Sequence, residues 1–201
     1  MRLIGITGGV GAGKSEVLRF IRQHYYCKIY LADEVAHKLQ EPGEACYEKL
    51  TALLGEEVLS PDGSIDRGKM AARIFLDKDV LFKVNAIVHP AVREYLENAV
   101  KETAEDGETE LFFIEAALLI ENGYNDFVDE MWYIHAGDEI RRKRLRISRG
   151  YDDNRISRIM ESQLSEDEFR GSSDFILDNS GDLSEVYSLI KKRLEAYTWK
   201  E

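Results

Sequence analysis

Short apolar runs alternate along this chain with segments whose apolar residues recur every three or four positions. The runs Leu3 to Thr7, Lys28 to Leu31, Leu111 to Glu115, Met131 to His135 and Asp174 to Leu177 read as strands. Between most of them the spacing is helical, as in Val17, Leu18, Phe20 and Ile21 after the first strand. Strands and helices in this order predict an α/β fold with a mostly parallel sheet covered on both faces. One gap breaks the rhythm. From residue 36 to residue 109 the chain is too long for a single crossover helix, and helical patterns near Ala45 to Leu54, Arg67 to Phe75, Val80 to Ile87 and Ala91 to Ala104 predict a helical insertion there.

The junction of first strand and first helix carries the strongest chemical signal. It reads GGVGAGKS and fills the pattern G-x-x-x-x-G-K-[ST] with Gly8, Gly13, Lys14 and Ser15. Gly8, Gly9, Gly11 and Gly13 allow the backbone to fold back so that successive N–H groups face an anion at the positive end of a helix dipole. Lys14 then serves as a compact charge against β- and γ-phosphates, and the Ser15 hydroxyl helps to hold a bridging Mg²⁺. A glycine turn that merely packs helix on strand is the bland alternative, and the strand–loop–helix context argues against it.

Length and charge narrow the partners. The 201 residues suit one domain, 1–201, with an inserted part, and the formal net charge of −11 argues against a dedicated nucleic-acid binder. No apolar run approaches the ~20 residues of a membrane span, and the first strand begins without a signal-type segment. The expectation is a soluble, cytoplasmic protein with no membrane partner. Cys27 and Cys46 have neither metal-site nor disulfide-framework spacing, which predicts free or buried thiols. Positive charge is concentrated in EIRRKRLRISRG, where Arg141, Arg142, Lys143, Arg144, Arg146 and Arg149 share one predicted helix: a phosphate-handling segment or a solvated face.

Other candidates stay open on the residues alone. Asp33 follows the second strand, where it can take a proton from an attacking hydroxyl or cap the next helix. His89 precedes Pro90, predicted in the first turn of a helix, with Arg93 one turn on; the pair can grip a substrate phosphate, or His89 can cap and Arg93 lie at the surface. Glu115 ends the third strand, a place where an acid sits near Mg²⁺ in such enzymes, and Glu121 follows on a predicted short helix; either can instead be a structural acceptor. Asp178, Asn179, Ser180 and Gly181 form a turn that can offer the Asn179 amide to an adenine or be an ordinary turn.

Taken in order, GITGGVGAGKS, LADEVA, HPAVR, AALLIEN, RIMESQ and LDNSG resemble the motifs of the dephospho-CoA kinase family over nearly the whole chain. The resemblance implies a P-loop NTPase-type sheet, an acceptor-binding helical insertion over 36–109 and an Arg-rich lid over 137–163. It implies transfer of phosphate from ATP, with Mg²⁺, to the ribose 3′-hydroxyl of dephospho-CoA, in a monomer or small homo-oligomer. By the same resemblance Asp33, Lys14 and Arg149 are catalytic. Gly9, Gly11, Ala12, Gly13, Lys14, Ser15, Glu16, Arg144 and Asn179 bind nucleotide; Asp33, His89, Arg93 and Glu121 bind the acceptor; and Ser15, with Glu115, meets the metal. The chain departs from the family pattern at Leu31, where an acid is usual, at Ala117, where proline is usual, and in the five-residue spacing of Arg144 and Arg149. Another nucleoside or nucleotide kinase is the alternative. A guanine-nucleotide switch lacks its N-K-x-D tetrapeptide here.

Overall fold

The structure, a computed structural model, describes residues 1–197. In chain order its elements are β1 (Arg2–Thr7), α1 (Lys14–His24), β2 (Cys27–Leu31), α2 (Ala32–Lys38), α3 (Tyr47–Leu54), α4 (Arg67–Leu76), α5 (Lys78–Asp106), β3 (Leu111–Glu115), β4 (Glu130–His135), α6 (Asp138–Arg149), α7 (Asp153–Glu161), α8 (Glu166–Gly171), β5 (Phe175–Asp178) and α9 (Leu183–Glu195). They form two compact units, Met1–Ile29 with Thr103–Glu201, and Tyr30–Glu102.

The first unit is built on a five-stranded sheet in the order β2-β3-β1-β4-β5, and β1 pairs in parallel with both β3 and β4. Ile4 and Ile6 of β1, Phe112 to Ile114 of β3 and Trp132 of β4 are fully buried, because a parallel sheet has helices on both faces. Each such side chain contributes about 1.5–3 kcal/mol by leaving water. With β1 at the centre, the loop after it emerges at the carboxyl edge of the sheet, where open α/β sheets place their ligands. The opposite edge is closed by Glu130. This buried carboxylate accepts from Trp132 Nε1 at 2.9 Å, Arg193 Nε at 2.7 Å and the Tyr197 hydroxyl.

The second unit is helical. Its longest element, α5, runs without interruption for 29 residues through Pro90, where the sequence pattern predicts two helices with Pro90 opening the second. The reason is a seam of Val80, Val84, Val88, Val92 and Leu96, spaced by four and all buried. Pro90 lies off that seam and is exposed, as is Ala86, whose carbonyl loses its usual helical donor. Water can serve that carbonyl, so burial of the seam outweighs one lost hydrogen bond. The short helix expected around Glu121 is also absent. Residues 117–123 form turns that end in a 3₁₀ turn, Tyr124–Asp126, because Gly123 takes the left-handed conformation (φ +69°).

Candidate active site

The glycine loop is held open by its carbonyls. Gly8 O accepts from Lys14 Nζ at 2.8 Å, Gly9 O from Ala12 N at 3.1 Å, and Gly13 O from Glu16 N at 3.0 Å. The carbonyls between them are gripped by two arginines of α6. Arg141 Nε donates to Val10 O at 3.0 Å, while Arg144 Nη1 donates to Ala12 O at 3.0 Å. Asn179, after β5, donates its amide to the same Ala12 O at 2.7 Å, and its own carbonyl accepts from Arg144 Nη2 at 2.8 Å. With these carbonyls occupied, the peptides of Gly13, Lys14 and Ser15 at the start of α1 leave their N–H groups for an anion, as the first N–H groups of any helix are left. Gly13 takes φ +94°, and Gly8, at φ +142°, packs so closely on Ile134 O that a Cβ would overlap it.

Lys14 Nζ also lies 3.4 Å from Glu115 at the end of β3, both side chains being mostly buried. This carboxylate and the exposed Ser15 hydroxyl are hard oxygen donors, suited to Mg²⁺, which is commonly held by one or two protein oxygens plus substrate phosphates. Among the described residues no cluster of three or more His, Cys, Asp or Glu could hold a metal ion.

The remaining predicted residues of this unit separate. Glu16 is paired with Arg19 and Tyr187, whose hydrogen bonds, Arg19's first, hold its carboxyl below the usual range. Arg146 is engaged by Asp153 of α7 at 2.8 Å. Arg149, the last residue of α6, is exposed and beside Tyr151, whose hydroxyl its hydrogen bond draws below the ordinary phenol range. Asn179 is 1% exposed and its Oδ1 has no partner among the described residues. Glu121 is exposed on a turn.

Sequence reasoning assigned no role to Arg141 individually or to Gln163. Gln163 Oε1 accepts from Val10 N at 3.1 Å and from Arg141 Nη2 at 2.7 Å, so the backbone N–H and carbonyl of Val10 are both bound, from the segment after α7 and from α6. The signal was present as helical spacing: Leu145 is the buried residue of α6, and Arg141 precedes it by one turn.

In the second unit Asp33 stands in the first turn of α2, not at its cap. β2 passes straight into the helix, Leu31 takes the cap position, and no side chain caps it. The N-cap role is therefore excluded, and the carboxylate benefits only from the helix dipole. Asp33 is exposed and lines a groove of about 270 Å³ with Ala36, His37, Gln40 and, from α4, Arg67 and Met70. His89 lies inside α5, so it caps nothing; one turn on, Arg93 Nε donates to Glu97 at 2.6 Å. Both thiols are free, and burial raises both above the ordinary thiol range.

A parallel sheet whose central strand feeds a glycine loop, a lysine and a helix defines a P-loop kinase fold. The solved dephospho-CoA kinase from Campylobacter jejuni shares it, with a TM-score of 0.73 over 98% of each chain at 21% identity. The family model described as dephospho-CoA kinase matches residues 2–185. Curated relatives bearing that name are 33% identical: the Corynebacterium diphtheriae protein over 90% of both chains, and the Aquifex aeolicus protein over 98% of both. The chain belongs to the dephospho-CoA kinase family.

Proposed function

We propose that this protein transfers the γ-phosphoryl group of ATP to the ribose 3′-hydroxyl of dephospho-CoA, giving coenzyme A and ADP. The observation that carries the reading is the loop Gly8 to Ser15, its carbonyls occupied by Lys14, Arg141 and Arg144, in a chain of this family. Phosphoryl transfer passes through a loose transition state with charge spread over the transferred oxygens, so position and positive charge supply most of the acceleration. Backbone N–H groups of the loop bind the phosphates, and Lys14 exchanges its contact with Gly8 O for phosphate oxygen. Ser15 and Glu115, together with phosphate oxygens, would hold Mg²⁺, which would supply positive charge against the polyphosphate.

The helical unit serves as the acceptor-binding part, and residues 137–163 as the lid. Asp33, free of capping duty and exposed, takes the proton of the 3′-hydroxyl as general base. Arg93 and His89 on α5 contact the acceptor. Arg149, exposed at the end of α6, brings a cation to the transferred group and helps exclude water, which otherwise competes as acceptor. Asn179 borders the adenine of ATP, and Arg144 reaches the nucleotide through Asn179 and the loop. Among the described residues no helix is long and apolar enough to cross a membrane, and we place the enzyme in the cytoplasm with its small-molecule substrates.

The test is an acceptor panel. The protein is incubated with Mg-ATP and, separately, dephospho-CoA, phosphopantetheine, AMP, CMP or shikimate, and ADP release is followed. Dephospho-CoA should be the substrate turned over; faster release with any other acceptor refutes the assignment.

A further inference from the structure

We propose that Arg141 and Gln163 are positioning residues that set the shape of the phosphate loop by clasping the Val10 peptide, and that Arg141 does not touch phosphate. The inference rests on reading the loop as a polyphosphate site. It starts from the commitments of one guanidinium. Nε donates to Val10 O at 3.0 Å, Nη2 to Gln163 Oε1 at 2.7 Å, and Nη1 faces Asp138 at 3.6 Å. All three nitrogens of Arg141 are engaged. Gln163 closes the ring by accepting from Val10 N at 3.1 Å, so the peptide is fixed at both ends.

A second observation concerns Gly9. Unlike Gly8, Gly11 and Gly13, it does not have positive φ, so backbone freedom does not explain it. A Cβ at Gly9 would collide with the guanidinium of Arg141. The glycine leaves room for the Arg141 guanidinium where its hydrogen bonds to Val10 and Gln163 hold it. Arg141 is largely buried, and burial lowers its pKa from the usual range while Asp138 opposes the shift. A desolvated cation held by two hydrogen bonds and an ion pair is better suited to fix the loop than to move onto a ligand.

The geometry divides the positive run of α6 by task. Arg141 and Arg144, one turn apart, bind the carbonyls of Val10 and Ala12 and so turn the alternate N–H groups the other way. Because Gln163 lies between α7 and α8, the same ring ties the loop to the segment proposed as lid.

The test is calorimetric titration of Mg-ADP, Mg-ATP and pyrophosphate into the parent, Arg141→Lys, Arg141→Met, Gln163→Leu and Gln163→Glu, with melting temperatures taken alongside. Lysine keeps the charge but cannot bridge Val10 O and Gln163 together. The expected result is that Arg141→Lys, Arg141→Met and Gln163→Leu each lose about tenfold or more in affinity, by the same factor for all three ligands. Gln163→Glu, which keeps an acceptor oxygen, should bind better than Gln163→Leu. Parent-like binding by Arg141→Lys or by Gln163→Leu overturns the proposal, as does a loss confined to ATP, which would mark a direct γ-phosphate contact. If the parent itself binds none of the three ligands, the reading of the loop falls and this inference with it.

Discussion

Asp33→Asn isolates the chemical step, because the structure removes the competing role for that side chain. Asp33 is the second residue of α2, exposed, and no cap depends on it. Asn has the same shape, so packing is untouched. What folding loses is one negative charge in the first turn of a seven-residue helix, worth about 0.3–1 kcal/mol. For a chain of 201 residues that is a fall in melting temperature of at most about 4 °C. Under the proposed role catalysis loses a general base, about 10²- to 10⁴-fold in kcat. Leu31 stands where a second acid is usual, so that segment holds no substitute two residues away. Thermal melts and steady-state kinetics on both substrates separate the terms: kcat should fall at least ~10²-fold with both KM values within about threefold. A variant that keeps more than a tenth of parental kcat refutes the assignment and sends the search to Glu115.

Glu130→Ala should cost about 3 kcal/mol, the low end for a broken buried pair because Arg193 and Arg2 are partly exposed and regain water; equilibrium denaturation reads it, and ADP affinity should not change, since the site is at the other edge of the sheet. Arg93→Ala should raise the KM for dephospho-CoA about tenfold or more and leave that for ATP nearly unchanged; equal effects would place Arg93 elsewhere. Glu16 carries a pH prediction: its folded carboxyl is depressed, chiefly by Arg19 and then by Tyr187, so its contribution is present above the unfolded value, about 4.3, and is lost as pH falls through the lower folded value. Glu16→Gln should therefore be less stable than the parent at neutral pH, by about 1 kcal/mol or less at this exposed pair, and the gap should close in acid; a gap that widens in acid contradicts the sign.

The loop and the strands were legible because their signals are local. Glycines at fixed offsets before Lys14, and apolar runs bounded by turns, need no knowledge of distant residues. Pro90 misled for the same reason: a local breaker was overridden by a seam of valines whose burial depends on tertiary packing. Asp33 was ambiguous because a cap and a first-turn acid differ here by two residues of helix start, which packing sets. Arg141 was hidden in a run of cations; its bond to Val10, 131 positions away in sequence, separates it from exposed members of the run such as Lys143 and Arg149.

The most direct measurement of the central claim is ³¹P NMR of the product formed from Mg-ATP and dephospho-CoA. The proposed reaction requires a new phosphomonoester on the ribose 3′-oxygen, appearing as ADP appears and in equal amount. Phosphate released to water, or attached at any other oxygen of the acceptor, contradicts it.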